Sequence, residues 1–239
     1  MTRVHQIQAG MKKNQLEGTF CAAFFETEAV QNADTKRNWE HIIDLGIKKG
    51  TSKNMDLTYG SGAPYKHHKL DNKSNKIIDD LLKAMAQCPD LACIFQDDVK
   101  IRLGFSNGEE TSLSWHKDGT TYQQRFVLLL HKGEGASKGV MFLKNNKYMI
   151  AKLKPYQNRN VGDVYCFDEV VGGQGDGNLG HQSCDGNTNK LMHAVCGVGR
   201  GLTLILDIKK NITRIYTDSE IKIMTTKMAE FLRSYLGEC

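Results

Sequence analysis

Proline is scarce in this chain, three residues in 239, and no apolar run approaches the roughly 18 residues needed to cross a bilayer. The first lack, set beside 23 glycines and 25% charged residues, excludes a collagen-like sequence and argues against disorder. The second excludes a transmembrane helix, so no membrane partner is expected. The opening residues, MTRVHQIQAGMKKNQ, contain no apolar signal core, and a soluble intracellular protein, cytoplasmic or nuclear, is the expectation. Seven cysteines (Cys21, Cys88, Cys93, Cys166, Cys184, Cys196 and Cys239) form no CxxC pair, which excludes a zinc knuckle. Their odd number speaks against a disulfide framework and makes free thiols the default. Basic residues outnumber acidic ones by 32 to 27, but the lysines are spread out. The excess permits an anionic partner without marking a nucleic-acid surface.

Neither an internal repeat nor a proline- or serine-rich linker divides the chain, so a single domain over 1–239 is expected. Residues 34–49 place Trp39, Ile42, Ile43 and Ile47 on one helical stripe that stops before Gly50. The segment TSKNMDLTYGSGAP reads as a flexible loop. Ser74 then precedes NKIIDDLLKAMAQC, whose apolar spacing is helical until Pro89. From residue 91 short β-forming segments follow between Gly/Asn/Asp turns: LACIF, VKIRLGF, RFVLLLH, VMFL, YMIAKL, DVYCFDEVV, MHAV and LTLILDI. Thr217 and Glu220 then form a capping-box pattern ahead of a helical stripe ending at Gly237.

One stretch carries chemistry. In LSWHKDGTTYQQRFVLLL, residues 113–130, His116 and Asp118 flank a single lysine. In an extended segment residues i and i+2 point to the same face, so both side chains would enter one cavity. His193 follows in LMHAVCGVGRGLTLILDI, where a strand-like MHAV leads through a glycine-rich turn into a strongly β-forming run. Two histidines and one carboxylate cap one face of an octahedral iron and leave three positions for a cosubstrate and dioxygen. HxD alone is more often a polar turn than half of a metal site. Its place at the opening of a β-rich region favours the metal, as do the later HAV and the Val161-Gly162-Asp163-Val164-Tyr165 turn-strand between them.

On these residues the chain resembles the Fe(II)/2-oxoglutarate-dependent dioxygenase superfamily, over about residues 91–210. The segments GVMFL and VGDVYCFD are similar to that family's glycine-started strand and the turn-strand before its distal histidine. The resemblance implies a double-stranded β-helix, or jelly roll, with His116, Asp118 and His193 holding Fe(II). It also implies 2-oxoglutarate and O2 as cosubstrates and hydroxylation of a C–H bond. Members commonly carry an arginine or lysine about nine to eleven residues past the distal histidine, paired with the far carboxylate of 2-oxoglutarate. Here that window holds Leu202, Thr203 and Leu204. Arg200 is the nearest substitute if CGVGRG turns tightly, and Arg125, on the strand after HxD, is the other. Hydroxyls of Thr203 and Tyr165 are candidates to support the same carboxylate, beside ordinary strand filling.

The expected fold is thus mainly β with flanking helices. A jelly-roll core spans 91–216, helical and loop support spans 1–90, and a C-terminal helix spans 217–236. The basic balance and the loops IKKGTSKN and YKHHKLDNK favour a macromolecular or anionic substrate, either a nucleic-acid base or a protein side chain. A non-catalytic β-sandwich that binds a metal or polyanion is the second reading. GDGNLG at 175–180 matches GxGxxG, but no helix follows, so no dinucleotide site is expected. Residues 172–190 read as a loop, a candidate lid, with His181 as a rival distal ligand on a less rigid segment. Cys166, Cys184 and Cys196 read as apolar filling rather than nucleophiles.

Overall fold

Alternation along the strands decides which residues meet the helices. The structure, a computed structural model, describes residues 2–9, 18–25, 27, 29–48, 54–57, 65–96, 99–108, 113–116, 122–133, 137–144, 147–148, 160–168, 192–209 and 216–237. The described strands are β1 (Thr2–Ala9), β2 (Gly18–Phe25), β3 (Asn54–Leu57), β4 (Val99–Gly108), β5 (Leu113–His116), β6 (Tyr122–Lys132), β7 (Ser137–Lys144), β8 (Lys147–Tyr148), β9 (Val164–Asp168) and β10 (Met192–Lys209). The helices are α1 (Ala33–Lys48), α2 (Asn72–Gln87), α3 (Ala92–Gln96) and α4 (Asp218–Leu236). Strands lie in the order β1-β2-β9-β6-β10-β4-β3, all neighbours antiparallel, while β5 and β7 pair with β10 and β8 pairs with β7. The architecture is an antiparallel sheet flanked by helices.

β10 organises this sheet. Residues 192–198 pair with β7, with contacts to β5, and residues 199–209 run between β4 and β6. The exchange of partners falls in the glycine-rich stretch Gly197–Gly201. The turn expected there does not form, because each half finds strand neighbours on both sides and their hydrogen bonds hold the backbone extended. Strands that switch neighbours in this way make the corners of packed sheets.

Leu202, Leu204, Leu206 and Ile208 of β10 are all buried, joined by Ile101, Leu103 and Phe105 of β4, Phe126 and Leu128 of β6, and Val164 of β9. This face meets the stripes of α1 (Trp39, Ile42, Ile43), α2 (Ile78, Leu81, Leu82, Met85) and α4 (Met224, Met228, Leu232). On β6 Leu130 is one residue extra, since Leu202 opposes His131 and Thr203 opposes Leu129. That bulge turns His131 toward the helices.

Several elements differ from expectation. LACIF forms α3 rather than a strand, because after the Pro89–Asp90 turn Ala92 N and Leu91 N donate to Cys88 O, starting a helical turn that buries Leu91 and Ile94. Short apolar runs suit either state. Residues 54–57, expected in a loop, pair with β4 as β3, and β1 and β2 add a hairpin that the polar N-terminal third did not announce. α2 begins earlier than expected: Asp71, not Ser74, is its N-cap, with Oδ1 accepting from Ser74 N at 2.7 Å. Of YMIAKL only Tyr148 lies among the described residues. No helix among them is long and apolar enough to cross a membrane.

α4 carries the expected capping box. Thr217 Oγ1 accepts from Glu220 N, and the Glu220 carboxylate accepts from Thr217 N at 2.8 Å. Thr217→Ala is expected to lower stability by about 1 kcal/mol, read as a shift of the urea midpoint at constant slope.

The Asn160–Asp163 turn fixes the entry to β9. Asp163, fully buried, accepts from Phe25 N at 2.9 Å and from Asn160 N at 2.8 Å, and Asn160 Nδ2 donates back to Phe25 O. Gly162 sits at φ 91°, in the left-handed region that a side chain strains. Its N–H donates to Leu129 O, and Leu129 N donates to Asp163 O, so the turn is tied to β2 and β6 together.

Candidate functional site

β5 ends at His116, and the register of β5 and β10 sets His116 directly opposite His193. Opposed residues on antiparallel strands share a face of the sheet, with Cβ atoms about 4.5–5.5 Å apart. The two imidazole-bearing positions, far apart in sequence, are therefore neighbours in the fold. Lys117 and Asp118, like His181 and the 172–190 segment, lie outside the described residues. Among the described residues no group of three His, Cys, Asp or Glu could hold a metal ion.

The face of the sheet turned away from the helices carries charge. On β10 the odd positions Thr203 and Asp207 alternate with the buried leucines, and Asp207 lies opposite Arg125 of β6. Arg125 Nε donates to Asp207 Oδ1 at 2.6 Å and its Nη2 to Oδ2 at 2.9 Å. From the other side Arg102 of β4 donates Nη2 to Oδ2 at 2.5 Å. One carboxylate thus bridges two guanidiniums across three strands, with side chains 4% (Asp207), 7% (Arg125) and 16% (Arg102) exposed. The Nε of Arg102 is buried without a hydrogen-bond partner. That unused donor suits a further carboxylate oxygen.

Neither Arg102 nor Asp207 emerges as a site residue from motif reading. The signal that marks them is a charge set between two apolar residues of a β-forming run, Arg102 between Ile101 and Leu103 in VKIRLGF and Asp207 between Leu206 and Ile208 in LTLILDI. Thr203 stands on the same face and donates Oγ1 to Gly104 O at 3.1 Å, so its hydroxyl proton serves the sheet. Tyr165, 2% exposed, is opposite Val127 of β6, two residues from Arg125, and shares that face as well.

Arg200 stands on the other side. Its Nε donates to Glu40 Oε2 at 2.6 Å and its Nη2 to Asp44 Oδ1 at 2.9 Å, both carboxylates belonging to α1. The reason is parity: positions 193 and 200 are seven apart on one strand, and an odd separation puts them on opposite faces. Position 203, ten from 193, falls on the same face. The structure therefore brings Arg125, Thr203 and Tyr165 to the face shared by position 193, and sends Arg200 to the helices.

Glu40 also receives His131, whose Nε2 lies 2.7 Å from Oε1. The buried Nδ1 of His131 has no hydrogen-bond partner, so the ring is held through Nε2 alone. Burial works to raise the Glu40 carboxyl, but the hydrogen bonds from His131 and Arg200 outweigh it and hold its pKa below the ordinary value. A depressed carboxylate stabilises the fold above its unfolded pKa, and the contribution is lost as pH falls through the folded one. Glu40→Gln is therefore expected to melt below the wild type at pH 7, with the gap closing as the buffer is taken to about pH 3. Thermal unfolding across that range checks it.

No protein-family model matches the chain, and no curated protein matches it. Among solved structures it is similar to a prolyl-4-hydroxylase from Pseudomonas putida, at 10% identity and a TM-score of 0.39, covering 81% of this chain and 93% of the other. An oxidoreductase of the 2OG-Fe(II) oxygenase family from Burkholderia pseudomallei aligns at 9% identity and a TM-score of 0.38, over 71% of this chain and 76% of the other. The nickel complex of the non-heme monooxygenase ThoJ aligns at 11% identity and a TM-score of 0.35, over 90% and 94%.

Proposed function

We propose that this chain is a mononuclear Fe(II) dioxygenase using 2-oxoglutarate and O2 to hydroxylate a C–H bond in a macromolecular substrate, a nucleic-acid base or a protein side chain. The observation that carries the reading is the cross-strand register of His116 with His193. Two imidazoles at facing positions, with the carboxylate of Asp118 two residues beyond the first, make the two-histidine, one-carboxylate donor set that suits ferrous iron. When bound, the iron supplies open coordination positions for the 2-oxo acid and dioxygen and the redox chemistry of hydroxylation. The strand exchange along β10 supports a double-stranded β-helix as the enclosing fold.

The chain's own residues do the positioning. Arg125 is the anchor we assign to the far carboxylate of 2-oxoglutarate, because it stands on the face shared by position 193 while Arg200 is held by α1. Arg102 lies beside it with an unused Nε–H, and Asp207 keeps both guanidiniums in one row. Rigid placement of this kind orients a bound acid and excludes water. The net charge of +5 favours an anionic or macromolecular partner over a free amino acid.

Anaerobic titration with Fe(II) and then 2-oxoglutarate tests the proposal. One iron per chain and a new visible charge-transfer band on adding the oxo acid are expected, with succinate formed on admitting oxygen and substrate. A chain that retains no iron and develops no band is not this enzyme. The alternative, a non-catalytic polyanion-binding sandwich, would instead show phosphate or nucleic-acid affinity that falls steeply with salt.

A further inference from the structure

Two cysteines face each other across the sheet. The register of β2 and β9 pairs Cys21 with Cys166, between the pairs Phe20–Phe167 and Ala22–Tyr165. Directly opposed residues on antiparallel strands have Cα atoms about 4.5 or 5.5 Å apart, depending on which of the two alternating pair types they occupy. Both values lie within the roughly 4.4–6.8 Å that a disulfide spans, and opposed Cβ atoms rise from the same face. The register thus brings the two backbones within the Cα range of a disulfide, and opposed Cβ atoms, about 4.5–5.5 Å apart in an ordinary sheet, close to about 3.5–4.5 Å when the bond forms. Cys166 is fully buried, and its Sγ donates to Gln124 Oε1 at 3.2 Å.

We propose that Cys21 and Cys166 are a redox pair that closes into a cross-strand disulfide when the protein meets a low-molecular-weight disulfide such as glutathione disulfide. The thiolate of one cysteine attacks the oxidant's S–S bond, forming a mixed disulfide and releasing one small thiol. The thiolate of the second attacks the protein sulfur of that mixed disulfide and releases the other. Two protein thiols are oxidised to one disulfide, the oxidant is reduced to two thiols, and the two cysteine protons end on them.

Access comes from the end of the sheet: among the described strands β1 is terminal and β2 lies next to it, so opening of this hairpin uncovers the β2–β9 pair without unfolding the centre. Closure then fastens the hairpin to β9, the strand entered through the Asn160–Asp163 turn. Cys88 and Cys93, at the far end of α2 and in α3, have no cysteine as a strand partner and serve as internal controls.

The test uses the full chain, reduced, exposed to glutathione disulfide, quenched in acid, alkylated in denaturant and digested for mass spectrometry. A peptide joining Cys21 to Cys166 is expected, with the intact mass lower by two hydrogens. The thermal midpoint should rise on the order of 10 °C. Dithiothreitol should reverse both, and Cys21→Ser should abolish both. The mapping is read on the wild-type chain, so a Cys166→Ser variant that fails to fold changes nothing. Full alkylation of both cysteines, glutathione adducts alone, or Cys21 joined to another cysteine would overturn the proposal. None of these readouts depends on iron, so this inference and the dioxygenase proposal fail separately.

Discussion

His193→Ala is expected to lower Fe(II) affinity by more than about 100-fold, because loss of a group that only orients a ligand already costs about 10–100-fold. The variant removes one of the two imidazoles that the β5–β10 register sets opposite one another. His116→Ala should do the same, and the two losses should not add, since either leaves an incomplete site. Arg200→Ala is the informative contrast. Its guanidinium is committed to Glu40 and Asp44 on the helix side, so iron and 2-oxoglutarate binding should be unchanged while the docking of α1 weakens. Metal content after gel filtration and the anaerobic absorbance titration give both answers. A His193→Ala protein that holds iron as the wild type does would remove the central support of the proposed activity.

The second large effect is on stability. Asp207→Ala strips a buried guanidinium, Arg125, and a partly buried one, Arg102, of their shared carboxylate, and an arginine cannot escape by losing its proton. Breaking a buried ion pair from one side costs about 3–5 kcal/mol, a large part of the roughly 5–15 kcal/mol that holds a typical fold together. Arg125→Ala should cost less, because Asp207 keeps Arg102 as its partner. Replacing all three together by methionine or leucine should restore most of the loss, since an apolar row avoids the desolvation that the ions incur. Urea unfolding of the variants decides it. A shift below about 1 kcal/mol for Asp207→Ala would mean that water reaches the row and screens it.

Helices α1 and α4 were legible because their apolar stripes and stop signals are local. The same holds for β4, β6 and β9, whose β-forming runs are bounded by turn residues. What was not legible depended on partners distant in the chain. The short run LACIF is helical because of what precedes it, and Asn54–Leu57 is a strand because β4 offers it an edge. Glycines 197, 199 and 201 suggested a turn, and that reading made Arg200 a reasonable anchor. In an unbroken strand, parity alone would have sent Arg200 to the opposite face and drawn the eye to Asp207 and Arg125. The chemistry of the candidate metal residues could be read from their types, while the facing of His116 and His193 came only with the register.

That register gives β10 a property unlike that of a loop of similar glycine content. Inserting or deleting one residue between Val198 and Gly201 would turn one half of the strand over relative to the other, and positions 193 and 207 would no longer share a face. A change of two residues would keep them together. Length variation in this stretch of the chain is therefore restricted to even steps, at a place where composition alone would suggest that any length is tolerated.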